Sequence, residues 1–406
     1  MKQKVKITIL ILILFVFYNS EAKNLFPVVN DGYVAYIDTT GKIIIDKEFE
    51  TDYEIYFINF EGKEYPSISF PQYAYFSEGK ATFKKSWGFW FIKFGDEYGV
   101  VDSLGNIIIK PQEKIIWKYK NNFARISIPL KSADYTYDEQ FTFLNTKGEY
   151  AFLEKINSKE ELQTIPSSLI IEKGGEKYKI LTFKYASDFN DGWATVLHND
   201  KFNLINTQGN LFSKTGFDDV QTFSEGKAVV KLDSNWYILD STGKVIYPKK
   251  SDKDNSYIFN NRIKYIWSYH NGVARYTDGE VMSFLNTEGK LASCSLYKVA
   301  NDFSEGFAAI QLANGKYNFT DLQGKLLSKE TFDGAGNFNS GLARVLIDEK
   351  WGYIDKSSKL IIENQFDFAQ DFNDGFAYVW KDNKLMIINT IGKVIWEYNI
   401  LNGKIK

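Results

Sequence analysis

The residue types that most often carry catalysis are scarce in this chain of 406 residues. Two histidines, His198 and His270, and one cysteine, Cys294, are present. None of them belongs to an HExxH, a GxSxG or a phosphate-binding P-loop pattern. The cysteine also has no evident base near it in the sequence. The sequence therefore predicts a protein that is not an enzyme and has no cofactor.

Two acidic loops could supply the oxygen ligands that calcium prefers. They read Asp188-Phe189-Asn190-Asp191-Gly192 and Asp371-Phe372-Asn373-Asp374-Gly375. Neither loop has a closing carboxylate at a fixed offset, and other copies of the same phrase carry Ser-Glu instead. We therefore interpret both loops as turns and expect no metal site.

Aromatic residues make up 17% of the chain and could stack on sugars or peptides. Three aromatic pairs lie in segments that interrupt the repeat described below, and inserted loops often form the binding surface of a repeat protein. We predict these six residues as binding residues: Tyr73, Tyr75, Tyr135, Tyr137, Tyr265 and Trp267. The alternative is that they lie in solvated loops or added edge strands.

The framework that must position these side chains is a tandem repeat. Each copy has an aromatic residue, then an anchor three residues on, then alanine and an apolar residue two and four positions after the anchor. Many anchors are 34 or 35 residues apart, and the eight are Gly79, Asn122, Gly192, Gly226, Gly272, Gly306, Gly341 and Gly375. Because residues two apart face the same side of a strand, we expect the alanine and the apolar residue to face inward.

A second motif follows, usually 17 residues after the anchor. Nine tetrads begin with Asp or Asn, as in DTTG at 38–41 and NTQG at 206–209, and eight of the nine end with glycine. The Asx side chain accepts an N–H two residues on, and glycine adopts positive φ without a Cβ clash. The tetrads therefore predict hairpin turns with a left-handed fourth residue. Ser358, in the tetrad DKSS, does not fit this explanation.

Each unit is thus predicted to contain three to four β-strands, and we expect it to bury its apolar face only by packing on its neighbours. The segment FNSGLARVLIDEKWGYIDKSSKLIIENQFD, residues 338–367, resembles the WG (KWG) β-repeat of bacterial proteins. The resemblance extends at least from Val34 to Trp396, although Trp-Gly stands in its proper position only at Trp351-Gly352. It implies an all-β repeat module and no particular activity.

The arrangement of the units is predicted from a looser similarity. The segment MIINTIGKVIW, residues 386–396, is similar to the outer strands of quinoprotein-type propeller blades. We therefore expect eight full units and a partial N-terminal unit, Phe26 to Ile45, in a β-propeller-like ring that hides its edge strands. The alternative is an open β-solenoid. The partial unit would complete the last blade of a ring or cap a solenoid.

Residues 1–22 are predicted to be a signal peptide, with three lysines, an apolar run and Ser20-Glu21-Ala22. A retained membrane anchor is the alternative, but the apolar run is shorter than the roughly 20 residues of a membrane span. We expect one β domain over residues 23–406, without an integral membrane span after cleavage. Its predicted insertions lie near residues 46–75, 86–97, 127–140, 149–186 and 247–266.

The charge balance argues against a nucleic-acid partner. Lysine and arginine number 49 against 51 acidic residues, a formal net charge of −2, so there is no basic field to attract a phosphate backbone. These features together predict an exported, non-catalytic repeat scaffold in the periplasm, at the cell surface or secreted, that binds a protein or another macromolecule. The alternative is a carbohydrate-binding module for a cell-envelope glycan.

Overall fold

The computed structural model describes residues 25–30, 33–46, 54–60, 63–69, 74–75, 77–89, 92–131, 137–250, 257–258, 263–292, 296–382, 384–398, 400–401 and 404–405. The predicted signal peptide and Cys294 lie outside these residues. Within 54–69, 85–95, 129–138, 249–258 and 400–405 only the backbone is described.

The described chain is all-β, as predicted, and most of its strands form nine small antiparallel sheets, here called blades 1 to 9. Blades 1 to 4 contain β1 (Phe26–Asn30), β2 (Tyr33–Ile37) and β3 (Ile43–Ile45); β6 (Lys80–Phe89), β7 (Ile92–Asp102) and β8 (Ile107–Gln112); β9 (Ile116–Lys120), β10 (Phe123–Lys131) and β11 (Tyr137–Leu144); and β15 (Tyr185–Ala186), β16 (Trp193–His198) and β17 (Lys201–Asn206).

Blades 5 to 9 follow the same order along the chain. They contain β18 (Asp219–Val220), β19 (Lys227–Leu232), β20 (Asn235–Asp240) and β21 (Val245–Tyr247); β24 (Tyr265–His270), β25 (Val273–Thr277) and β26 (Met282–Asn286); β27 (Val299–Ala300), β28 (Ala308–Gln311) and β29 (Tyr317–Thr320); β30 (Gly334–Ala335), β31 (Leu342–Ile347), β32 (Lys350–Asp355) and β33 (Leu360–Phe366); and β34 (Phe368–Ala369), β35 (Phe376–Lys381), β36 (Lys384–Asn389) and β37 (Val394–Tyr398).

The remaining elements lie outside the blades. They are β4 (Glu54–Phe60), β5 (Lys63–Ser69), β12 (Leu153–Lys155), α1 (Lys159–Thr164), a 3-10 turn (Ser167–Leu169), β13 (Ile170–Lys173), β14 (Glu176–Ile180), β22 (Lys249–Lys250), β23 (Tyr257–Ile258), β38 (Ile400–Leu401) and β39 (Lys404–Ile405). The short helix α1 lies within the predicted insertion of residues 149–186, and the Ser158 hydroxyl caps it by accepting a hydrogen bond from the Glu161 amide. No helix in the described ranges has the length and apolarity that a membrane crossing requires.

The repeat positions build the core as predicted. All eight alanines two residues after the anchors are at most 2% exposed, and the apolar residues two positions further on are all buried. The nine tetrads form the expected turns: in each, the Asx side chain accepts the amide two residues on, at 2.8 to 3.2 Å. Ser358 takes the left-handed conformation, φ +65°, that its eight glycine counterparts also adopt.

Apolar contacts join each blade to the next. A buried residue in the third strand of one blade packs on the aromatic residue that lies three positions before the anchor of the following blade. Such pairs occur at every interface from blade 2 to blade 9. Four of them are ring pairs with centroids 4.7 to 4.8 Å apart: Phe143–Phe189, Phe284–Phe303, Phe319–Phe338 and Tyr353–Phe372. Burial of one such side chain contributes roughly 1.5–3 kcal/mol, so these interfaces supply most of the stability.

The ring closes between blade 9 and blade 1. The ring of Phe26 in β1 lies 5.0 Å from that of Phe376 and 5.8 Å from that of Tyr378, both in β35. Across the same interface the Val29 amide donates to the Tyr398 hydroxyl at 3.4 Å. Blade 1 contacts blade 2 on its other side, where the Tyr36 hydroxyl donates to the Ala74 carbonyl. The partial N-terminal unit therefore forms a blade of its own, blade 1, and adds no strand to blade 9.

The inner edge of the ring is formed by the first strand of blades 3 to 9 and, in blade 2, by the segment that ends in the bridge between Ser77 and Lys80. Along it, the residue before each anchor has an oxygen that accepts a hydrogen bond from the anchor turn of the following blade. Seven consecutive interfaces are bridged in this way, through Glu78, Asn121, Asp191, Glu225, Asn271, Glu305 and Ser340. Because even a serine side chain spans the gap, neighbouring blades are closest here, so this edge lies nearest the ring axis.

The alternation of antiparallel strands gives the ring two distinct faces. Strands are counted here by repeat position, so that blade 1 begins with a second strand and β6 of blade 2 is a second strand. The anchor turns connect first to second strands and the Asx tetrads connect third to fourth strands, so both lie on one face, here called the turn face. All five predicted insertions lie in the other connections, between second and third strands or between successive blades. The described strand ends beside these insertions therefore meet the opposite face, here called the insertion face.

Candidate binding site between blades 4 and 5

Three of the four arginines in the chain occupy one repeat position. Arg125, Arg275 and Arg344 each lie three residues after an anchor, in the second strand of blades 3, 6 and 8. Alternation along the strand directs this position away from the buried alanine and toward the following blade. Lysine supplies nearly all other positive charge, so the repeated use of arginine at this position indicates a role for its planar, forked guanidinium.

Arg275 shows how the position is used. Its Nη1 donates to the Ala300 carbonyl at 2.7 Å and its Nε donates to Asp302 at 2.9 Å, both in the first segment of blade 7. The guanidinium carbon lies 4.1 Å from the ring centroid of Trp267 in its own blade. The side chain therefore joins two blades through a carbonyl, a carboxylate and an aromatic face.

The other two arginines repeat this arrangement. Arg125 donates to the Ala186 carbonyl at 2.6 Å and lies 3.6 Å from Asp188, over the ring of Trp117. Burial lowers the pKa of Arg125, and the charge of Asp188 offsets part of that effect. Arg344 makes the same contacts with the Ala369 carbonyl and with Asp371, at 2.8 Å for the ion pair.

Glycine replaces the tryptophan beside Arg344. A Cβ added at Gly336 would lie 1.9 Å from Asp371 and 2.5 Å from Arg344, so the ion pair occupies the space that a side chain would take. An aromatic neighbour is nevertheless kept, because the guanidinium carbon of Arg344 lies 5.0 Å from the ring of Trp351.

The aspartate position follows the same pattern. Aspartate occurs four residues before the anchor only in blades 4, 7 and 9, and each of these blades directly follows a blade that carries one of the three arginines.

Between blades 4 and 5 the equivalent space is open. Thr195 occupies the arginine position and Ser187 the tryptophan position, and a cavity of about 310 Å³ lies beside them. The other walls match the arginine sites: Phe202 is equivalent to Trp351, and Val220 is equivalent to the alanines whose carbonyls accept from arginine. Thr222 replaces the aspartate, and a carboxylate is still present in the lining at Asp219.

The rim of this cavity is aromatic and accessible. Tyr185 is 44% exposed and packs edge-on against Phe202, with ring centroids 6.1 Å apart. Both residues lie at the ends of their strands that meet the insertion face, so the cavity opens toward that face. A cavity with an aromatic rim, a carboxylate and backbone carbonyls is suited to a cationic, planar group.

The aromatic residues predicted from the sequence are placed as follows. Tyr73 and Tyr135 lie outside the described residues, and Tyr137 is described only as the first backbone position of β11. Tyr75 is half-buried and packs edge-on against Phe26 at 5.9 Å. The structure brings Tyr265 and Trp267 together at 4.7 Å, with Arg275 over the Trp267 ring.

The insertion of residues 149–186 forms a small sheet of its own, β12-β14-β13, beside blade 3. A groove of about 330 Å³ separates it from blade 4 and is lined by Lys179, Lys184, His198 and Asp200 among others. Lys184 is already paired with Asp200 at 2.8 Å. No group of three or more His, Cys, Asp or Glu residues in the described chain is arranged to hold a metal.

Comparison with known families identifies the repeat. The model of the WG containing repeat matches six segments, residues 35–59, 98–128, 204–236, 282–317, 319–351 and 351–384. This chain belongs to the WG-repeat family. The matched segments fall in blades 1 to 9 and include the Arg125 position, but they leave out the sheet β12-β14-β13. No curated protein sequence matches this WG-repeat chain at a significant level.

One solved structure shares the fold at low sequence identity, and others are more weakly similar. A eukaryotic initiation factor is 11% identical, with 92% of this chain and 95% of that chain covered and a TM-score of 0.53. BamB from Moraxella catarrhalis is 10% identical, with 63% and 94% covered and a TM-score of 0.32. AztD from Citrobacter koseri is 13% identical, with 76% and 93% covered and a TM-score of 0.33. The first of these similarities concerns the fold alone, and the other two are too weak to support an argument.

Proposed function

We propose that this WG-repeat protein is an exported, non-catalytic scaffold that binds another protein through its insertion face. The observation that carries the proposal is the placement of the insertions. Five segments of different length and sequence have entered the repeat, and all five emerge on the same side of the ring. On the turn face, by contrast, the connections keep their repeated length and residue pattern. Variable loops on a rigid framework are a common arrangement for recognition.

Photo-crosslinking from the two faces tests this proposal. A photoreactive residue replaces Glu172 in the inserted sheet or Leu232 at the insertion-face end of β19, both of which are exposed. Matched controls carry it at Leu104 and Ile391, which are 80% and 76% exposed in the tetrads of the turn face. In the cells that produce the protein, we expect a defined crosslinked protein from the first pair only.

Equal yields from both faces, or no crosslinked protein from either, would contradict the proposal. Export is tested separately by fractionating the same cells and determining the N-terminal residue of the mature chain. Recovery of the chain in the cytoplasm with residues 1–22 retained would rule out export.

A glycan partner is the second candidate, and the structure favours it less. One face of the Trp267 ring is covered by Arg275, and the Tyr265 ring packs edge-on against both Trp267 and Trp236. A flat, uncovered aromatic face is what a sugar ring needs. The predicted pair Tyr135 and Tyr137 stays the basis of this alternative. No binding on a glycan array would remove the alternative, and glycan binding unchanged by Tyr135→Ala and Tyr137→Ala would remove this pair as its site.

A further inference from the structure

The cavity between blades 4 and 5 is an arginine site that lacks its arginine. At the interfaces after blades 3, 6 and 8, the repeat supplies a guanidinium to the same space from three residues after the anchor. In blade 4 that residue is Thr195, whose short side chain leaves about 310 Å³ open. The 4–5 interface therefore differs from those three in the missing guanidinium, because much of the receiving surface is retained.

Two other interfaces without arginine are filled from within the chain. After blade 5, Trp236 is buried in this region, and its Nε1 donates to the Lys264 carbonyl at 3.0 Å. After blade 7, the side-chain amide of Asn301 donates to Asn337 at 2.9 Å. The 4–5 interface has small polar residues at the matching positions, Ser187 and Thr222, which leave the cavity accessible.

We propose that this cavity binds an arginine side chain of a partner protein, which inserts from the insertion face. The guanidinium takes the position of the internal arginines: it donates to the Val220 carbonyl and lies against the Phe202 ring. The Asp219 carboxylate supplies the charge that Asp188, Asp302 and Asp371 supply elsewhere. Tyr185 at the rim covers the aliphatic part of the incoming side chain. The inference rests on the proposed protein-binding function and specifies its partner group.

Arginine is favoured over lysine by the shape of the receiving groups. A carbonyl, a carboxylate and an aromatic face lie on different sides of one flat group at the internal sites, and a planar fork can address all three. A lysine ammonium is a compact point charge that cannot stack in the same way. If lysine makes one charge-assisted hydrogen bond fewer than arginine, the cavity binds arginine about tenfold or more tightly than lysine.

The test compares two short peptides on the full chain. The probes are acetyl-Gly-Arg-Gly-amide and acetyl-Gly-Lys-Gly-amide, titrated by ligand-observed NMR. We expect binding of the arginine peptide with a dissociation constant at least about tenfold below that of the lysine peptide. Thr195→Arg together with Thr222→Asp fills the cavity in the manner of blades 3, 6 and 8 and is expected to abolish binding without lowering Tm.

Two further variants keep the result interpretable. Gln208→Arg places an arginine on an exposed turn of blade 4, away from the cavity, and is expected to leave binding unchanged. Asp219→Asn keeps an acceptor for the Val220 amide but removes the charge, and is expected to weaken the arginine peptide several-fold. Equal affinity for both peptides, no binding of the arginine peptide, or full binding by the filled variant would each overturn the inference. Face-specific photo-crosslinking would still report on the proposed function itself.

Discussion

At the scale of single residues, the repeat depends on positive φ at fixed positions. Anchors and tetrad ends take the left-handed region, where a side chain costs roughly 1–2 kcal/mol and glycine is nearly free. Asn122, the exception among the anchors, has φ +66° and is of a type that tolerates this geometry. Ser358 has no such tolerance, and its hydroxyl is buried without a hydrogen-bond partner.

Replacing Ser358 by glycine is therefore expected to stabilise the protein. Relief of the backbone strain, less the conformational entropy that glycine loses on folding, gives a gain of about 1 kcal/mol. Thermal unfolding measures it as a rise in Tm. Ser358→Ala removes the buried hydroxyl but keeps the strain, so it separates the two contributions. A lower Tm for Ser358→Gly would show that the hydroxyl contributes more than the structure indicates.

Gly375→Val is the opposite change at an anchor. A Cβ at Gly375 would meet nothing within 4 Å, so the whole effect comes from forcing a β-branched residue to φ +86°. The cost is on the order of 1–2 kcal/mol or more. Gly375→Asn is the control and is expected to cost less. Equal Tm for the wild type and the valine variant would be inconsistent with this turn geometry.

The Arg275–Asp302 pair is expected to couple blades 6 and 7. Arg275→Lys loses the forked geometry, and Arg275→Met leaves Asp302 and the Ala300 carbonyl without their partner. In a double-mutant cycle with Asp302→Asn, we expect a coupling energy of about 0.5–3 kcal/mol in urea unfolding. Strict additivity of the two changes would mean that the pair has no role in holding the blades together.

The arginine positions show which features can be predicted from the sequence and which cannot. The aromatic, alanine and tetrad positions were predicted because each recurs in most copies and has a direct backbone or burial explanation. The arginines recur in only three copies, and their partners lie some 60 residues on for Arg125 and about 27 for Arg275 and Arg344. Each Arg is linked to its Asp only once it is known that a blade packs on the next blade along the chain. The open site between blades 4 and 5 could therefore not be recognised from the sequence.

At the scale of elements, the tetrad turns make the free energy of unfolding depend on pH under acidic conditions. A side-chain hydroxyl, from Thr242 or Ser357, donates to the turn aspartate and lowers the pKa of Asp240 and of Asp355. Since the folded pKa lies below the unfolded value of about 3.9, this stabilisation is complete above that pH. It is lost as the pH falls through the folded pKa.

Asp240→Asn combined with Asp355→Asn should therefore flatten the acid limb of the stability profile. Asn serves the same turn at positions 145, 206, 286 and 389 and does not titrate, so the fold tolerates the change. Urea unfolding between pH 5 and pH 2 measures the effect. An acid limb as steep as that of the wild type would show that these turns do not contribute to it.

At the scale of the whole molecule, the periodic pattern specifies neighbours but not closure. Each unit packs on the next by local spacing, which a solenoid and a ring satisfy equally well. Closure depends on contacts between Phe26 and Phe376 or Tyr378, about 350 residues apart, and on Tyr398 reaching Val29. No repeat spacing encodes these contacts, because they are made once. The partial first unit was predicted correctly as a unit, but the expectation that it would complete the last blade of a ring was wrong, because it forms a sheet of its own that packs against blade 9.

Closure can be tested by removing blade 1. Deletion of residues 1–46 exposes the faces of Phe376, Tyr378 and Leu385, which are buried in the closed ring. Loss of several large apolar contacts at roughly 1.5–3 kcal/mol each is expected to lower Tm sharply and to promote association. Deletion of residues 1–24 alone is the control and is expected to leave Tm unchanged. In solution scattering, the control should keep the distance distribution of a compact disc. A rod-like distribution for the control, or equal stability of the two deletions, would mean that blades 1 and 9 do not meet in solution.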